Sequence, residues 1–253
     1  MSTGDDFQAI AAHFPDPFRL MLRDSCASTN DELQSLASNG APHGLILLSH
    51  EQTNGRGRRG NTWSAAPGES LTFSILVHPQ EPKALWPRLA LATGLALAEA
   101  LESFGCQPGI KWPNDLWLED RKAAGILVEA GENFAIVGIG LNVHTTEFPG
   151  DLADSATSLA LTLGEAPSRP EVLAAIIQRF AVRHRGIGAD FSKLIEGINQ
   201  RCVLSGKRVI LQTSNGPKCG IVQRLGSGGE LLLDTSSGTE ALIHADEVRI
   251  VNK

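Results

Sequence analysis

Three arginines, Arg56, Arg58 and Arg59, lie among glycines in the segment EQTNGRGRRGNTW (51–63) of a chain that is acidic overall. Guanidinium groups are forked, permanently charged donors for phosphate or carboxylate. Glycines let the backbone approach a ligand closely and present its N–H groups to an anion. The pattern predicts an anion-binding loop that can close over its ligand. A solvated surface loop is the alternative that the pattern leaves open.

The glycines of this loop, Gly55, Gly57 and Gly60, also spell G-x-G-x-x-G, the fingerprint of a dinucleotide-binding turn. That turn requires a helix to begin inside the motif, because the pyrophosphate lies on the helix N-terminus. Here Pro-Gly follows at 67–68 and a strand pattern starts directly after it. The motif also lacks the Lys-Ser or Lys-Thr that closes a P-loop. We therefore expect a loop between two strands and neither nucleotide fold.

A second informative stretch is KWPNDLWLEDRKAAGILVE (111–129). Pro113 prevents Lys111 and Asp115 from forming a helical pair, so WPND is predicted to be a turn at the start of a hairpin. Lys122 opens the return strand, either as a snorkelling surface residue or as a cation aimed into a cleft. Asp115 either takes part in a reaction or only stabilises the turn through its side chain.

The elements around these motifs mix strands and helices without a regular βαβ repeat. The first 20 residues look like a weakly patterned lead-in. Apolar periodicity and capping residues predict helices at 28–40, 83–105, 155–164 and 169–185, and strands at 43–52, 70–79, 116–118, 122–130 and 134–144. This order predicts the α/β (α+β) class, with a mixed β-sheet flanked by helices.

The composition changes near residue 200. Four short strand patterns follow, GKRVILQT, KCGIVQRLG, GELLLDT and ALIHADEVRIV, separated by turn residues and with no helical period between them. About 50 residues of this kind are typical of a small β-barrel. The sequence therefore predicts two domains, a larger one at 1–202 and a small β domain at 203–253.

Charge and hydropathy exclude several classes of protein. The net charge is −6 and the 22 Lys and Arg do not form a basic block, so we expect no nucleic-acid partner. The most apolar helical segment (89–105) contains two glutamates and is too short to cross a membrane. With no basic and apolar leader, the chain is expected to be cytoplasmic. Its four cysteines are scattered, which predicts no metal site and no disulfide.

Five blocks of the sequence, in this order, together resemble the biotin–protein ligases: STN (28–30), EQTNGRGRRGNTW (51–63), KWPNDL (111–116), RKAAGILVE (121–129) and GIGLNV (138–143). The β-rich tail is similar to the SH3-like domain of that family. The resemblance implies a catalytic domain like those of class II aminoacyl-tRNA synthetases and biotin synthetases. It also implies a reaction in which biotin and MgATP form biotinyl-5′-AMP and pyrophosphate. A lysine of a biotin carboxyl carrier protein, part of a carboxylase, then takes the biotin.

The resemblance also implies roles for particular residues. Lys122, Arg58, Lys111 and Asp115 would be catalytic. The biotin-binding residues would be Ser28, Thr29, Asn30, Gln52, Arg56, Gly57, Arg58 and Lys122. The adenylate would be contacted by Arg58, Trp63, Lys122 and Asn142. Trp63 is equally consistent with a core position. No residue is assigned to a metal, because Mg²⁺ can arrive on ATP with several of its waters.

Three further expectations accompany this interpretation. Only 27 residues precede Ser28, too few for the DNA-binding module of the repressor-type members, so a monofunctional ligase is expected. A strand near 134–142 is expected to be an edge strand, which could pair between subunits or equally be covered internally, and this leaves a monomer or a homodimer. The alternatives in function are a lipoate or octanoate ligase or transferase of the same fold, and a non-catalytic biotin-sensing protein.

Overall fold

The large part of the molecule is built on a seven-stranded mixed sheet. In the computed structural model, which describes residues 4–213 and 216–251, all neighbouring strands of this sheet are antiparallel except the first two. The strands are β1 (Arg19–Cys26), β2 (Leu45–Gln52), β3 (Ser70–Val77), β4 (Gly109–Lys111), β5 (Asp115–Leu118), β6 (Arg121–Ala130) and β7 (Ala135–Asn142), in the spatial order β1-β2-β3-β7-β6-β5-β4.

Helices cover both faces of this sheet, as the predicted class requires. They are α1 (Gly4–Ala11), α2 (Thr29–Ser38), α3 (Arg88–Glu102), α4 (Leu159–Leu163), α5 (Arg169–Arg183) and α6 (Phe191–Asn199). Helices α3 and α5 pack on each other and on one face, while α2 lies against β2, β3 and β7. The mixed sheet flanked by helices is confirmed.

Strands β3 and β7 alternate between two kinds of side chain. Apolar residues face the core under α3 and α5, and small or polar residues occupy the opposite face, since successive side chains of a strand point to opposite sides. Register pairs the members of the second set with one another across the two strands. The set is Ser70 with Asn142, Thr72 with Gly140, and Ser74 with Gly138. A sheet face of this composition leaves space for a ligand beside α2.

The predicted hairpin is confirmed between β5 and β6. Leu118 pairs with Arg121, so Glu119 and Asp120 form a two-residue connection. Both have positive φ, 50° and 60°, as a type I′ turn requires. The turn preceding it, at 112–114, is also as predicted, and it brings Lys111 opposite Asp115 in the ladder of β4 and β5.

The C-terminal part forms a separate, antiparallel five-stranded sheet. Its strands are β8 (Arg208–Thr213), β9 (Gly216–Leu225), β10 (Leu231–Thr235), β11 (Gly238–Leu242) and β12 (Glu247–Ile250), in the order β11-β10-β9-β8-β12. The last predicted strand, 241–251, is in fact two strands, separated by residues 243–246. The predicted boundary near residue 203 falls between α6 and β8, and it stays a prediction.

Several elements differ from the sequence-based expectations. Four elements were not predicted from the sequence. They are α1 and β1, of which α1 and the start of β1 lie in the described part of the lead-in, and β4 and α6. The helix predicted at 83–105 begins only at Arg88, after a proline, and ends at Glu102. Strand β7 lies between β3 and β6, so the suggestion that it pairs between subunits as an edge strand is wrong. No membrane-spanning helix occurs among the residues that the structure describes.

His184 makes the stability of the fold depend on pH. The ring is buried, stacks on Phe180 with centroids 5.0 Å apart, and places Nδ1 2.8 Å from the Phe180 carbonyl oxygen. Burial lowers the pKa of His184 to about 4, with a smaller lowering contribution from His43 and an opposing one from the carbonyl. The unfolded chain therefore binds a proton at a higher pH than the folded protein does.

The stabilising contribution is therefore complete above pH 6.5 and is lost as the pH falls towards 4. Between pH 7 and pH 5 we expect the free energy of unfolding to fall by about 2 kcal/mol because of this one residue. His184→Phe, which keeps an aromatic ring over Phe180, should remove that dependence in urea titrations at the two pH values. His13→Asn, at an exposed position, is the control. If the free energy of unfolding of His184→Phe depended on pH as it does in the wild-type protein, His184 would not be the source of this dependence.

Candidate functional site

A cavity of about 270 Å³ lies on the polar face of the large sheet, under the loop that connects β2 to β3. It is lined by the start of α2, the loop, the WPND turn, β6, β7 and the residues just before and within β12. The lining residues include Ser28, Thr29, Asn30, Gln52, Arg56, Gly57, Arg58, Trp63, Lys111, Asp115, Lys122, Gly125, Gly138, Gly140, Asp246 and Glu247. All but one of the residues proposed from sequence therefore meet in one place.

The exception is Asn142. It is buried at the end of β7 and does not line this cavity. Its amide Nδ2 donates to the Thr157 carbonyl oxygen at 3.0 Å, and its Oδ1 lies 3.4 Å from the Ser70 hydroxyl. Both ends of the side chain are thus occupied within the protein.

One end of the cavity has a neutral, hydrogen-bonded wall. Gln52 Oε1 accepts from the backbone N–H of Thr29 at 2.8 Å and from its hydroxyl at 3.0 Å. Ser74 Oγ lies 2.7 Å from Thr29 Oγ1 and 2.6 Å from Asn30 Oδ1. Ser28 precedes this helix and makes no capping hydrogen bond with its side chain. Polar groups arranged in this way suit a neutral ligand that both donates and accepts hydrogen bonds.

The glycine-arginine loop is folded back on itself above this wall. Gly57 N donates to Asn61 O at 2.7 Å, and Trp63 N donates to Gly55 O at 3.0 Å. Arg58–Gly60 forms a single 3-10 turn at the tip, with Arg59 and Gly60 at positive φ. The segment joins two strands without a helix that could hold a pyrophosphate, so the expected loop context is confirmed.

Arg56 occupies the neutral end, between two carboxylates. Its Nη2 lies 2.6 Å from Asp31 Oδ1 and 2.6 Å from Glu129 Oε2. Its Nε is buried without a hydrogen-bond partner in the described structure. The two carboxylates thus compensate the charge of Arg56 within the protein itself.

Arg58 links the loop to two other segments. Its Nη1 donates to Asn114 Oδ1 at 3.0 Å, and its Nη2 donates to the Ala245 carbonyl oxygen at 3.4 Å. Asn114 is held in turn, because its Nδ2 donates to Ile126 O at 2.9 Å. Burial, and then Arg59, lower the pKa of Arg58 from its ordinary value. The loop and the WPND turn therefore converge through this guanidinium.

Lys122 reaches the same region because of a β-bulge. Leu116 pairs with Ala124, but Trp117 pairs with Lys122, so β6 carries one extra residue here. A bulge changes the face to which a side chain points, and bulges are frequent beside active sites. As a result Lys122 Nζ extends over Gly125 and lies 2.8 Å from Asp115 Oδ1.

Lys111 adds a third cation to this end. Its Nζ lies 4.7 Å from the centroid of the Trp117 ring. Burial lowers the pKa of Lys111. The charge of Asp115 opposes this lowering and the charge of Lys122 adds to it. Asp246 and Glu247 also line the cavity, but they pair with Arg59 and Arg249. Within the described chain, Arg58, Lys111 and Lys122 therefore face Asp115 alone, so this end of the cavity favours an anion that more than one cation can contact.

Trp63 covers a platform of two glycines. Gly125 and Gly140 are cross-strand partners. A Cβ at Gly140 would lie 2.2 Å from Trp63 Cε2, and one at Gly125 would lie 3.4 Å from Trp63 Cζ3. The indole is thus a wall of the cavity and lies flat on the sheet, with its Nε1 buried and unpartnered within the described chain.

Gly140→Ala is expected to displace this indole and loosen the loop, because the new methyl group would overlap the ring. Overpacking of this kind costs about 1–3 kcal/mol, so trypsin should cleave the loop at its arginines about tenfold faster or more. Gly186→Ala, where a Cβ would meet Leu194 at 3.7 Å, is the matched control. Equal cleavage rates for the two variants would show that the loop does not depend on the platform.

Some lining residues were not found from the sequence. Asp246, which precedes β12, forms an ion pair with Arg59, and Glu247 lies beside it. Glu129 and Ser74 support the wall from behind. The alternation S-x-T-x-S in β3 and G-x-G-x-N in β7 was an available signal for the polar sheet face. The acidic residues carried no such local signal.

The cavity offers no ready cage for a metal ion. Among the described residues, no group of three or more His, Cys, Asp or Glu side chains is placed to hold one. Asp115 is engaged with Lys122, and Asp246 with Arg59.

Comparison with known proteins agrees with this architecture. The family model of the biotin/lipoate A/B protein ligases matches residues 23–144. The bifunctional ligase/repressor BirA of Bacillus subtilis is 33% identical over 236 residues, which cover 90% of this chain and 73% of that protein. A biotin–[acetyl-CoA-carboxylase] ligase of Mycobacterium tuberculosis is 32% identical over 231 residues, covering 88% of this chain and 86% of that protein.

A solved structure extends the likeness over the small C-terminal sheet as well. The biotin protein ligase from Aquifex aeolicus in complex with biotin and ATP has a TM-score of 0.84 and 30% identity. The match covers 92% of this chain and 99% of that chain. The extent of these matches, together with the site, leads to one conclusion: the chain belongs to the biotin/lipoate A/B protein ligase family of enzymes.

Proposed function

We propose that the protein is a biotin–protein ligase, which activates biotin with MgATP and transfers it to a lysine of a biotin carboxyl carrier protein. One observation carries the proposal. A neutral hydrogen-bonding wall and a cluster of three cations stand at two ends of the same cavity, as a ligand with a neutral head and an anionic tail requires. The likeness to the Aquifex aeolicus ligase, solved with biotin and ATP, supports the same assignment.

In this proposal biotin lies along the cavity. Its ureido head meets Ser28, Thr29 and Gln52, with Arg56 nearby in the lining of the cavity. The apolar part of biotin passes under the Trp63 indole. The carboxylate then reaches Arg58 and Lys122. Asn30 contributes by supporting the wall, since its side chain already bonds within the protein.

The first reaction step brings the carboxylate against the α-phosphate of ATP. Two anions must approach in line, so the barrier depends on cations that are already in place. In this proposal Arg58 and Lys122 contact both groups and Lys111 approaches the phosphates, since all three residues line the cavity. Mg²⁺ bound with ATP would supply further neutralisation of the phosphate charge beside these cations. Carboxylate oxygen attack forms the mixed anhydride biotinyl-5′-AMP and releases pyrophosphate.

The second step transfers biotin to the carrier. The lysine ε-amine attacks the acyl carbon and AMP leaves. Asp115 has two roles that fit its position, orienting Lys122 at 2.8 Å and accepting a proton from the incoming amine. In this proposal the adenine lies beside Trp63. Contact of the adenine with Asn142 stays a prediction, because Asn142 does not line the cavity.

Biotin-dependent exchange of labelled pyrophosphate into ATP tests the proposal. Exchange with biotin, followed by labelling of a carrier domain, is the expected result. Exchange with lipoate or octanoate alone would overturn it in favour of the lipoate branch of the family. Biotin binding without exchange would identify a sensing protein.

A further inference from the structure

Glu129 is a carboxylate next to the cavity that the proposed reaction does not use. It lies on β6, and its side chain is 28% exposed. Its Oε2 accepts from Asn30 Nδ2 at 2.7 Å and from Arg56 Nη2 at 2.6 Å. It therefore joins a residue of the helix α2 to a residue of the glycine-arginine loop.

These contacts complete a chain of hydrogen bonds around the neutral wall. The chain runs from Gln52, which accepts from the backbone N–H of Thr29, through the Thr29 hydroxyl, Ser74 and Asn30 to Glu129 and ends at Arg56. Its middle members are buried, with Thr29, Asn30 and Ser74 at most 4% exposed. Gly138 makes room for it, since a Cβ there would lie 2.2 Å from Asn30 Oδ1.

The charges around Arg56 follow from this arrangement. Glu129 holds the guanidinium from one side and Asp31, 49% exposed, holds it from the other. Two carboxylates for one guanidinium leave this end of the cavity slightly negative. An anionic ligand group is therefore disfavoured here, whereas a neutral ligand group is not repelled by the two carboxylates. The anion-binding cations lie at the opposite end.

We infer that Glu129 is a positioning residue that determines specificity for a neutral head group. Its carboxylate fixes Arg56 and Asn30 together and compensates the charge of Arg56, so that this end of the cavity is shaped and charged for a neutral cyclic urea rather than for an anion. The inference rests on the proposed function, in which biotin supplies that urea.

Glu129→Gln removes the charge and keeps the size of the side chain. Hydrogen bonds to charged groups are the stronger ones, so we expect the KM for biotin in pyrophosphate exchange to rise roughly 10-fold or more. We expect kcat to change by less than about 2-fold and the KM for ATP to stay the same, because the cationic end is untouched. Glu129→Asp, which keeps the charge, should restore part of the affinity.

Two comparisons separate positioning from a merely structural role. Glu132→Gln alters an exposed glutamate in the connection between β6 and β7, and it should change neither kcat nor the KM for biotin or ATP. Asp31→Asn loosens Arg56 from the solvent side without contacting Asn30, and we expect a smaller rise in the KM for biotin. This variant also tests the fixing of Arg56 between its two carboxylates if Glu129→Gln does not fold.

The outcomes are distinguishable. Equal biotin KM values for wild-type protein, Glu129→Gln and Asp31→Asn would overturn the inference and leave the ligase proposal standing. A lower kcat together with higher KM values for both biotin and ATP would also overturn it, because such changes indicate general damage to the protein. A wild-type protein that neither binds biotin in calorimetry nor exchanges pyrophosphate would overturn the proposed function, and this inference with it.

Discussion

Lys122→Ala is expected to reduce the rate of biotinyl-adenylate formation by about 10²- to 10³-fold, the usual effect of removing one preorganised donor to a developing charge. Lys122 Nζ lies in the cavity at 2.8 Å from Asp115. In the proposed reaction it shields the carboxylate and the α-phosphate from each other. The measurement is biotin-dependent pyrophosphate exchange at saturating substrates, with the loss expected in kcat.

The fold should survive this substitution. Lys122 is partly exposed, and Asp115 keeps Lys111 as a neighbouring cation. Lys193→Ala, which removes an exposed lysine on α6, is the matched control and should leave exchange unchanged. Lys122→Arg should recover only part of the rate, since a planar guanidinium does not reproduce a compact ammonium. Near-normal exchange by Lys122→Ala would refute the assigned role.

Arg58→Gly is expected to weaken retention of the adenylate, so that free biotinyl-AMP escapes. Arg58 bonds both Asn114 of the WPND turn and the Ala245 carbonyl, so its loss detaches the loop from the two segments that it covers. Charged hydrogen bonds contribute about 1.5–3 kcal/mol each, so free biotinyl-AMP should escape about 10- to 100-fold faster. Labelled ATP and separation of free from bound adenylate measure the escape.

A second readout is the biotinylation of bystander lysines by the escaped anhydride. Wild-type protein should label a carrier domain and leave an unrelated protein unmodified, whereas Arg58→Gly should label both. Arg224→Gly, on an exposed position of β9, controls for a lost surface arginine. If Arg58→Gly retains its adenylate as long as the control does, the loop does not act as a lid.

Local backbone chemistry accounts for what could be predicted from the sequence. Pro-Gly at 67–68 leaves too little chain for a helix after the glycine motif, and the structure has a loop there. Pro113 excludes a helical relation between Lys111 and Asp115, and they face each other across a turn instead. These outcomes depend on neighbours a few residues apart. The five blocks that resemble the ligase family extended the prediction to the site as a whole.

Edge elements escaped prediction for a physical reason. Strand β1 has only β2 beside it and is largely half-exposed, so it needs no continuous apolar pattern. Helix α1 belongs to the same weakly patterned region. Strand β7, by contrast, was recognised as a strand but misjudged as a possible edge. Its neighbours on both sides are set by the order in which distant segments pair.

The amino-acid sequence by itself determined which side chains could serve as cations and polar donors, and which turns would carry them. Only the tertiary structure decided their partners: Glu129 meets Arg56 from 73 residues away, and Ala245 meets Arg58 from 187 residues away. It also placed Asn142 outside the cavity and used a bulge to point Lys122 into it. Such contacts depend on strand register and on packing between segments far apart in the chain, which no local pattern encodes.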